Sequence, residues 1–168
     1  MFNSADINSF SNVFEEIGKR WMLLAVRNGD KLNAMTASWG GIGIMWGVPA
    51  AFVFVRPQRY TYEMLEKTDM FTASFYPEEM RPALNFCGTR SGRGFDKISA
   101  AGLTPVYGED GYAYFEQAEK VLCLRKLYVQ HLDIACAIDT EIFMKNYPNH
   151  DYHHMYVAKI EDYLIRKP

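Results

Sequence analysis

Four groups of residues in this chain have the types and spacing to do chemistry. The first is Thr36-Ala37-Ser38-Trp39. Small side chains there let main-chain N–H groups approach the edge of a flat polar ring, whose carbonyls and ring nitrogens need donors once buried. The second is Arg56, Arg59, Tyr60 and Thr61 around the turn at Pro57. Two guanidinium groups before a helix start make an anion site, because arginine grips phosphate bidentately and a helix N-terminus offers free N–H groups. The competing reading makes Arg59 a solvated charge and Thr61 a plain helix cap. The third group is the basic, glycine-rich run from Cys87 to Lys97, with Gly88, Arg90, Ser91, Gly92, Arg93 and Gly94. It has the make-up of a phosphate cradle, or else of a surface loop carrying solvated charges. It is no Walker motif, since no Gly-Lys-Ser/Thr closes it, and no GxGxxG follows a strand. Cys87 has no histidine–acid pair beside it in sequence, so it reads as packing or a ring-edge contact and not as a nucleophile. The fourth group is His150, His153 and His154 with Asp151. On a strand His153 and His154 point to opposite faces, so they do not share one ion and no metal site is expected.

Between them, the stretch Asn33 to Thr61 brings small polar residues, glycines and anion-binding groups close together in sequence. That combination suits a flat, polar, phosphorylated ligand. Trp39 either stacks on such a ligand or packs internally, whereas Trp46 reads as core or subunit-interface packing. Met22, Met35, Met45 and Met64 read as core fillers.

The elements that must hold these groups are mostly strands. Trp21–Arg27 and Leu32–Ser38 flank Asn28-Gly29-Asp30, a hairpin turn signal. Gly40–Pro49, broken by glycines, reads as a loop. The apolar run Ala50–Val55 reads as a strand buried on both faces, ended by Pro57. Met70–Tyr76, Tyr112–Glu116, Lys120–Val129 and His153–Leu164 complete about seven strands. Short helices are expected at Val13–Lys19, Tyr62–Lys67 with Thr61 as N-cap, Glu78–Cys87, Asp96–Ala101 and Asp139–Asn146. Strands at hairpin-like spacing favour an antiparallel barrel over a parallel α/β sheet.

Composition narrows the classes further. The chain has 168 residues, 49% hydrophobic and 15% aromatic, enough for one packed domain spanning 1–168. A net charge of −2 argues against sequence-independent nucleic-acid binding. No apolar run is long enough to span a membrane. The N-terminus lacks the basic-then-apolar order of a secretory signal. The 3 cysteines, Cys87, Cys123 and Cys136, form no CxxC and read as reduced thiols of a cytoplasmic protein.

Four segments in order, Asn33-Ala-Met-Thr-Ala-Ser-Trp-Gly40, Arg56-Pro-Gln-Arg-Tyr-Thr61, Cys87-Gly-Thr-Arg-Ser-Gly92 and His153-His-Met-Tyr-Val157, resemble the flavin reductase-like family, and within it the flavoredoxin-type branch. The similarity runs from about Trp21 to Leu164. It implies a mainly β fold, a Greek-key antiparallel split β-barrel with several inserted short helices. It also implies a homodimer with FMN bound non-covalently near the subunit interface. Thr36, Ala37, Ser38 and Trp39 would then lie along the ring and ribityl chain, with Asn33 and Met35 also among the cofactor-binding residues. Arg56, Arg59, Tyr60 and Thr61, with Arg59 the favoured arginine, and Ser91, Gly92 and Lys97 would hold the phosphate or its lid, and Cys87 and Gly88 would be further cofactor-binding residues. His153 would stand near the flavin or nicotinamide, or serve as a structural histidine. The implied activity is hydride transfer from NADH or NADPH to the flavin, with a possible redox partner protein. The alternatives are a flavoredoxin-type electron carrier that oxidises NAD(P)H poorly, or a barrel that binds a ligand without catalysis.

Overall fold

A computed structural model of the chain describes residues 1–108 and 110–167. Ten strands appear among them. β1 (Phe2–Ser4) precedes a π-helical segment, Phe14–Arg20, one residue on from the expected helix at Val13–Lys19. β2 (Met22–Asn28) and β3 (Lys31–Ala37) form the expected hairpin, with Gly29 at φ 60° in its turn.

The glycine-rich stretch is where the sequence reading fails. Gly40–Met45 is a strand, β4, which pairs with β5 (Val48–Val55) across a tight turn at Trp46-Gly47. Both turn residues have positive φ, 51° and 75°, as a two-residue hairpin of primed type requires. Glycine hid the strand because it has no side chain with which to write an alternation. At Gly40 it is needed for another reason: a Cβ there would stand 2.5 Å from the carbonyl oxygen of Phe52 on β5.

Beyond β5 come α1 (Tyr60–Leu65), β6 (Met70–Phe75), a 3-10 turn at Glu78–Met80, and α2 (Arg81–Thr89), with Pro82 in its first turn. α3 (Lys97–Ala100) is capped by Asp96, whose carboxylate accepts from the Ser99 N–H. β7 (Pro105–Tyr107) and β8 (Ala113–Phe115) form a small separate hairpin. β9 (Lys120–His131), α4 (Thr140–Asn146) and β10 (His154–Arg166) complete the chain. Thr61 is not the N-cap of α1. Arg59 holds that position and Thr61 lies buried in the first turn.

The main sheet is antiparallel and runs β3-β2-β6-β9-β10-β5-β4, with β1 on β10. Two register shifts bend the β9–β10 pair, one with the extra residue Leu127 on β9 and one with Glu161 on β10. One face encloses a core that includes Leu24, Val26, Met35, Val53, Val55, Phe71, Phe75 and Leu122. The other face of β2 and β3 carries Leu23, Ala25 and Ala34 into a second core with Leu84 and Cys87 of α2, Ile98 and Phe115. Burial on both faces therefore belongs to β2, not to the run Ala50–Val55. On β5, Ala51, Val53 and Val55 face the core, while Phe52 and Phe54 are half-buried. β3 ends the path of the sheet, so among the described residues its outer main-chain edge has no strand partner.

Candidate functional site

Asn33 sits in the middle of β3, buried, on the core-facing side. Its side-chain amide donates to the Thr61 hydroxyl at 2.8 Å, tying the start of α1 to the sheet edge. Gly92 closes down on the same amide, and a Cβ at Gly92 would lie 2.3 Å from Asn33 Oδ1. Glycine is therefore required here for close approach, not for an unusual φ.

Two cations converge beside Asn33. Arg59, entering α1, donates to the carbonyls of Gly88 at 2.6 Å and Cys87 at 3.2 Å. Lys97, at the start of α3 and 3% exposed, donates to the carbonyls of Cys87 at 3.3 Å and Arg90 at 3.0 Å. Both sit at the C-terminal end of α2, where carbonyls and the helix dipole favour positive charge. No carboxylate among the described residues forms an ion pair with either one. Burial is the main force lowering both. Lys97 is pulled down to about 8, with the Arg59 charge adding to the effect, and the Arg59 guanidinium is lowered as well.

Around these cations lies a cleft of about 170 Å³ lined by Asn33, Arg59, Tyr60, Thr61, Ser91 and Lys97, with Gln58, Thr89 and Arg90. The fold thus gathers residues from three separate sequence segments. Gly92 abuts the cleft through Asn33. Cys87 is fully buried in α2, where burial pushes its thiol up, and it contributes its carbonyl. The Gly88 carbonyl receives Arg59.

The ring-side residues are arranged differently. Met35 and Ala37 point into the core, so only their main chain is available at the outer edge. Thr36 donates to the Leu84 carbonyl at 2.5 Å and packs under Gly88, so its hydroxyl docks α2 on β3. Ser38 is half-buried where β3 ends. Trp39 is 42% exposed, with its ring 5.0 Å from that of His153.

Arg56 does not join the cleft. It pairs with Asp151 at 2.5 Å, donates to the Asn146 carbonyl at 2.9 Å, and lies 5.1 Å from the Tyr147 ring centroid. It fastens the segment after α4 to the end of β5. That segment supplies Tyr147, which no sequence motif announced. The Tyr147 hydroxyl meets His153 Nδ1 at 2.8 Å, and both side chains are buried. Burial, aided by the Arg56 charge, pulls the His153 imidazole down to about 4, so it is neutral across the physiological range. His154 points to the other face, where its Nε2 meets His131 Nδ1 at 3.2 Å. The two histidines diverge as strand alternation demands. Among the described residues no group of three or more histidine, cysteine or acidic side chains is arranged to hold a metal ion. Nor is any helix long and apolar enough to cross a membrane. Trp46 is not core: it stands 65% exposed in the β4–β5 turn, edge-on to Tyr128 at 6.2 Å.

The chain matches the model of the flavin reductase like domain over residues 14–167. It is similar in structure to an FMN-binding protein from Thermus thermophilus, solved with bound p-hydroxybenzaldehyde. That match has 21% identity and a TM-score of 0.71, and it covers 98% of this chain and 82% of the other. It is also similar to the flavoredoxin of Desulfovibrio vulgaris (Miyazaki F), at 21% identity and TM-score 0.70 over 97% and 77% of the two chains. A third likeness is to a Streptomyces globisporus NADH:FAD oxidoreductase in complex with NAD and FAD fragments. It has 15% identity and TM-score 0.63 over 86% and 79% of the chains. No curated protein sequence matches the chain. At these identities the structural likeness is one of fold, and that fold is the split β-barrel.

Proposed function

The chain belongs to the flavin reductase-like family, and from that premise we propose that it holds FMN without a covalent link and takes a hydride onto it from NADH or NADPH. The observation that carries this reading is the pair Arg59 and Lys97. Two cations withdrawn from water and facing only carbonyls form an incomplete electrostatic site. A phosphate completes it, and the donors fit: a guanidinium, an ammonium, and the hydroxyls of Ser91 and Thr61 around a small cleft. Asn33, Tyr60 and Gly92 border the ribityl chain. The end of β3 and the two residues after it, 36–39, offer main-chain donors to the ring, beside Trp39.

When bound, the flavin supplies the two-electron acceptor that no side chain provides. The protein's part is to position and to exclude water. Neutral His153, fixed through Nδ1 by Tyr147, leaves Nε2 for the nicotinamide side of the pocket. No general acid or nucleophile is required. Arg56 has no place in the phosphate set, because Asp151 already holds it.

We further propose a single domain over 1–168 that works as a homodimer in the cytoplasm. The exposed apolar side chains Ile44, Trp46 and Tyr128 suit a second copy, and all three cysteines are free. The test is a titration of the purified protein with FMN and with riboflavin, followed by flavin fluorescence. FMN should bind at least tenfold tighter than riboflavin, and Arg59→Met with Lys97→Met should abolish the difference. Rapid bleaching of bound flavin by NADH or NADPH in stopped flow supports the reductase. Flavin binding without bleaching supports an electron carrier instead, and no flavin binding leaves a barrel for another ligand.

A further inference from the structure

His153 keeps one ring nitrogen unused. The side chain is only 9% exposed, yet among the described residues its hydrogen bonding is confined to Nδ1, which meets the Tyr147 hydroxyl at 2.8 Å. Nε2 meets no protein group among them, and it is not sealed from solvent either. The ring lies 5.0 Å from that of Trp39, tilted by 44°, with Phe54 edge-on at 6.4 Å. A nine-tenths buried imidazole usually completes both its hydrogen bonds within the protein. One that leaves a nitrogen free between two aromatic walls has the form of a ligand contact.

Which nitrogen carries the proton follows from Tyr147. That residue is 4% exposed, between Phe143 at 4.8 Å and Tyr152 at 5.3 Å, with the Arg56 guanidinium 5.1 Å from its ring centroid. Burial raises the phenol, so it keeps its proton at physiological pH. The His153 main-chain N–H also faces the phenol oxygen and occupies it as an acceptor. A neutral imidazole nitrogen accepts better than a phenol oxygen. The Tyr147 proton therefore points at Nδ1, and the single proton of neutral His153 resides on Nε2. Arg56, itself held by Asp151 and by the Asn146 carbonyl, keeps Tyr147 in place.

We infer that Tyr147 is a positioning residue that locks His153 as its Nε2–H tautomer, and that this N–H recognises a carbonyl oxygen on the molecule lying against Trp39. On the reading proposed above, on which this rests, that oxygen belongs to the carboxamide of the hydride donor. No proton is transferred; the contact fixes the rotation of the ring that bears the carbonyl.

Two measurements on the FMN-loaded protein test it. In proton–nitrogen correlation spectra of histidine-labelled protein at pH 7, His153 should show a protonated Nε2 and a bare Nδ1. In Tyr147→Phe the two nitrogen signals should move towards each other. In stopped-flow bleaching by NADH or NADPH, Tyr147→Phe should raise the apparent dissociation constant by about 3- to 10-fold, the worth of one neutral hydrogen bond. The limiting rate and the FMN affinity should stay within twofold. His153→Gln, which retains an N–H, should lose less than His153→Leu. The reduced acetylpyridine analogue keeps the carbonyl oxygen and lacks the amide N–H, and it should bind the parent as well as the natural donor does. A proton on Nδ1 in the parent, or unmoved signals in Tyr147→Phe, overturns the tautomer assignment. Tenfold rejection of the analogue overturns recognition of the oxygen. FMN affinity that falls along with nucleotide affinity in Tyr147→Phe makes the residue merely structural and overturns the proposal. Bound FMN that neither nucleotide bleaches removes the reductase reading and the recognition with it, while the spectra still decide whether Tyr147 sets the tautomer.

Discussion

Replacing Lys97 with methionine, which is of similar length and uncharged, should make the flavin-free protein more stable and a worse flavin binder. The ammonium is pulled from 10.5 to about 8, chiefly by burial. At 1.36 kcal/mol per pKa unit, keeping it charged at neutral pH costs the folded state up to ~3 kcal/mol. Opposing that cost are its bonds to the Cys87 and Arg90 carbonyls, at 3.3 and 3.0 Å, each contributing about 1 kcal/mol. The Cys87 carbonyl keeps Arg59 as a partner, and Arg90 is exposed to water. The balance favours the variant by ~1 kcal/mol, a rise in melting temperature of ~2–4 °C for a chain of this size. Loss of one charge-assisted contact to phosphate should weaken FMN binding by about 10- to 100-fold, with riboflavin unaffected. The pH dependence has a definite sign. Between about 8 and 10.5 the unfolded chain holds a proton on Lys97 that the folded chain has released. Raising pH through that window therefore stabilises the native protein, and the variant should lose this contribution. Calorimetric scans without flavin from pH 7 to 10, with fluorescence titrations at pH 7, test both halves. A variant that melts lower than the parent while binding FMN within twofold of it would refute the argument that a buried, uncompensated cation awaits an anion.

Gly92→Ala drives a methyl group into Asn33 Oδ1; it should cost about 1–3 kcal/mol in denaturant titrations and weaken FMN more than riboflavin. His153, lowered to about 4 by burial, stays neutral in the folded chain while the unfolded chain protonates near 6.5. Stability should therefore fall as pH drops from 6.5 towards 4, with the His153 resonance titrating near 4 by NMR; a midpoint near 6.5 would contradict its burial. Arg56→Ala frees the Asn146 carbonyl and leaves Asp151 held by Gln58 alone. It should accelerate hydrogen exchange over α4 and its C-terminal flank, and leave FMN affinity within twofold, whereas a large loss would return Arg56 to the phosphate site.

Much of this protein was legible without coordinates wherever the physics is local. The hairpin at Asn28-Gly29-Asp30 was legible because only a few residues accept positive φ. β6 and β9 were legible because β-branched and aromatic side chains pack a pleated surface. The four segments that carry the family likeness pointed to a split barrel, and the positive charge of Arg59 and Lys97 was visible from residue type alone. What tertiary structure decided was which partner each group meets. Sequence favoured Arg59 over Arg56, two alike charges around one proline, but could not say what partner either would meet. Asp151 captured the first across the barrel end, and the carbonyl end of α2 received the second. It could not show β4, whose glycines carry no alternation, nor place Trp46 outside the core. It gave no sign that Tyr147 would fix His153, since nothing in the chain between α4 and β10 marks a partner. Periodicity records which face of an element is apolar. Charge pairing, close approach and the desolvation that shifts Lys97 and His153 depend on distances between elements, and only the folded chain sets those.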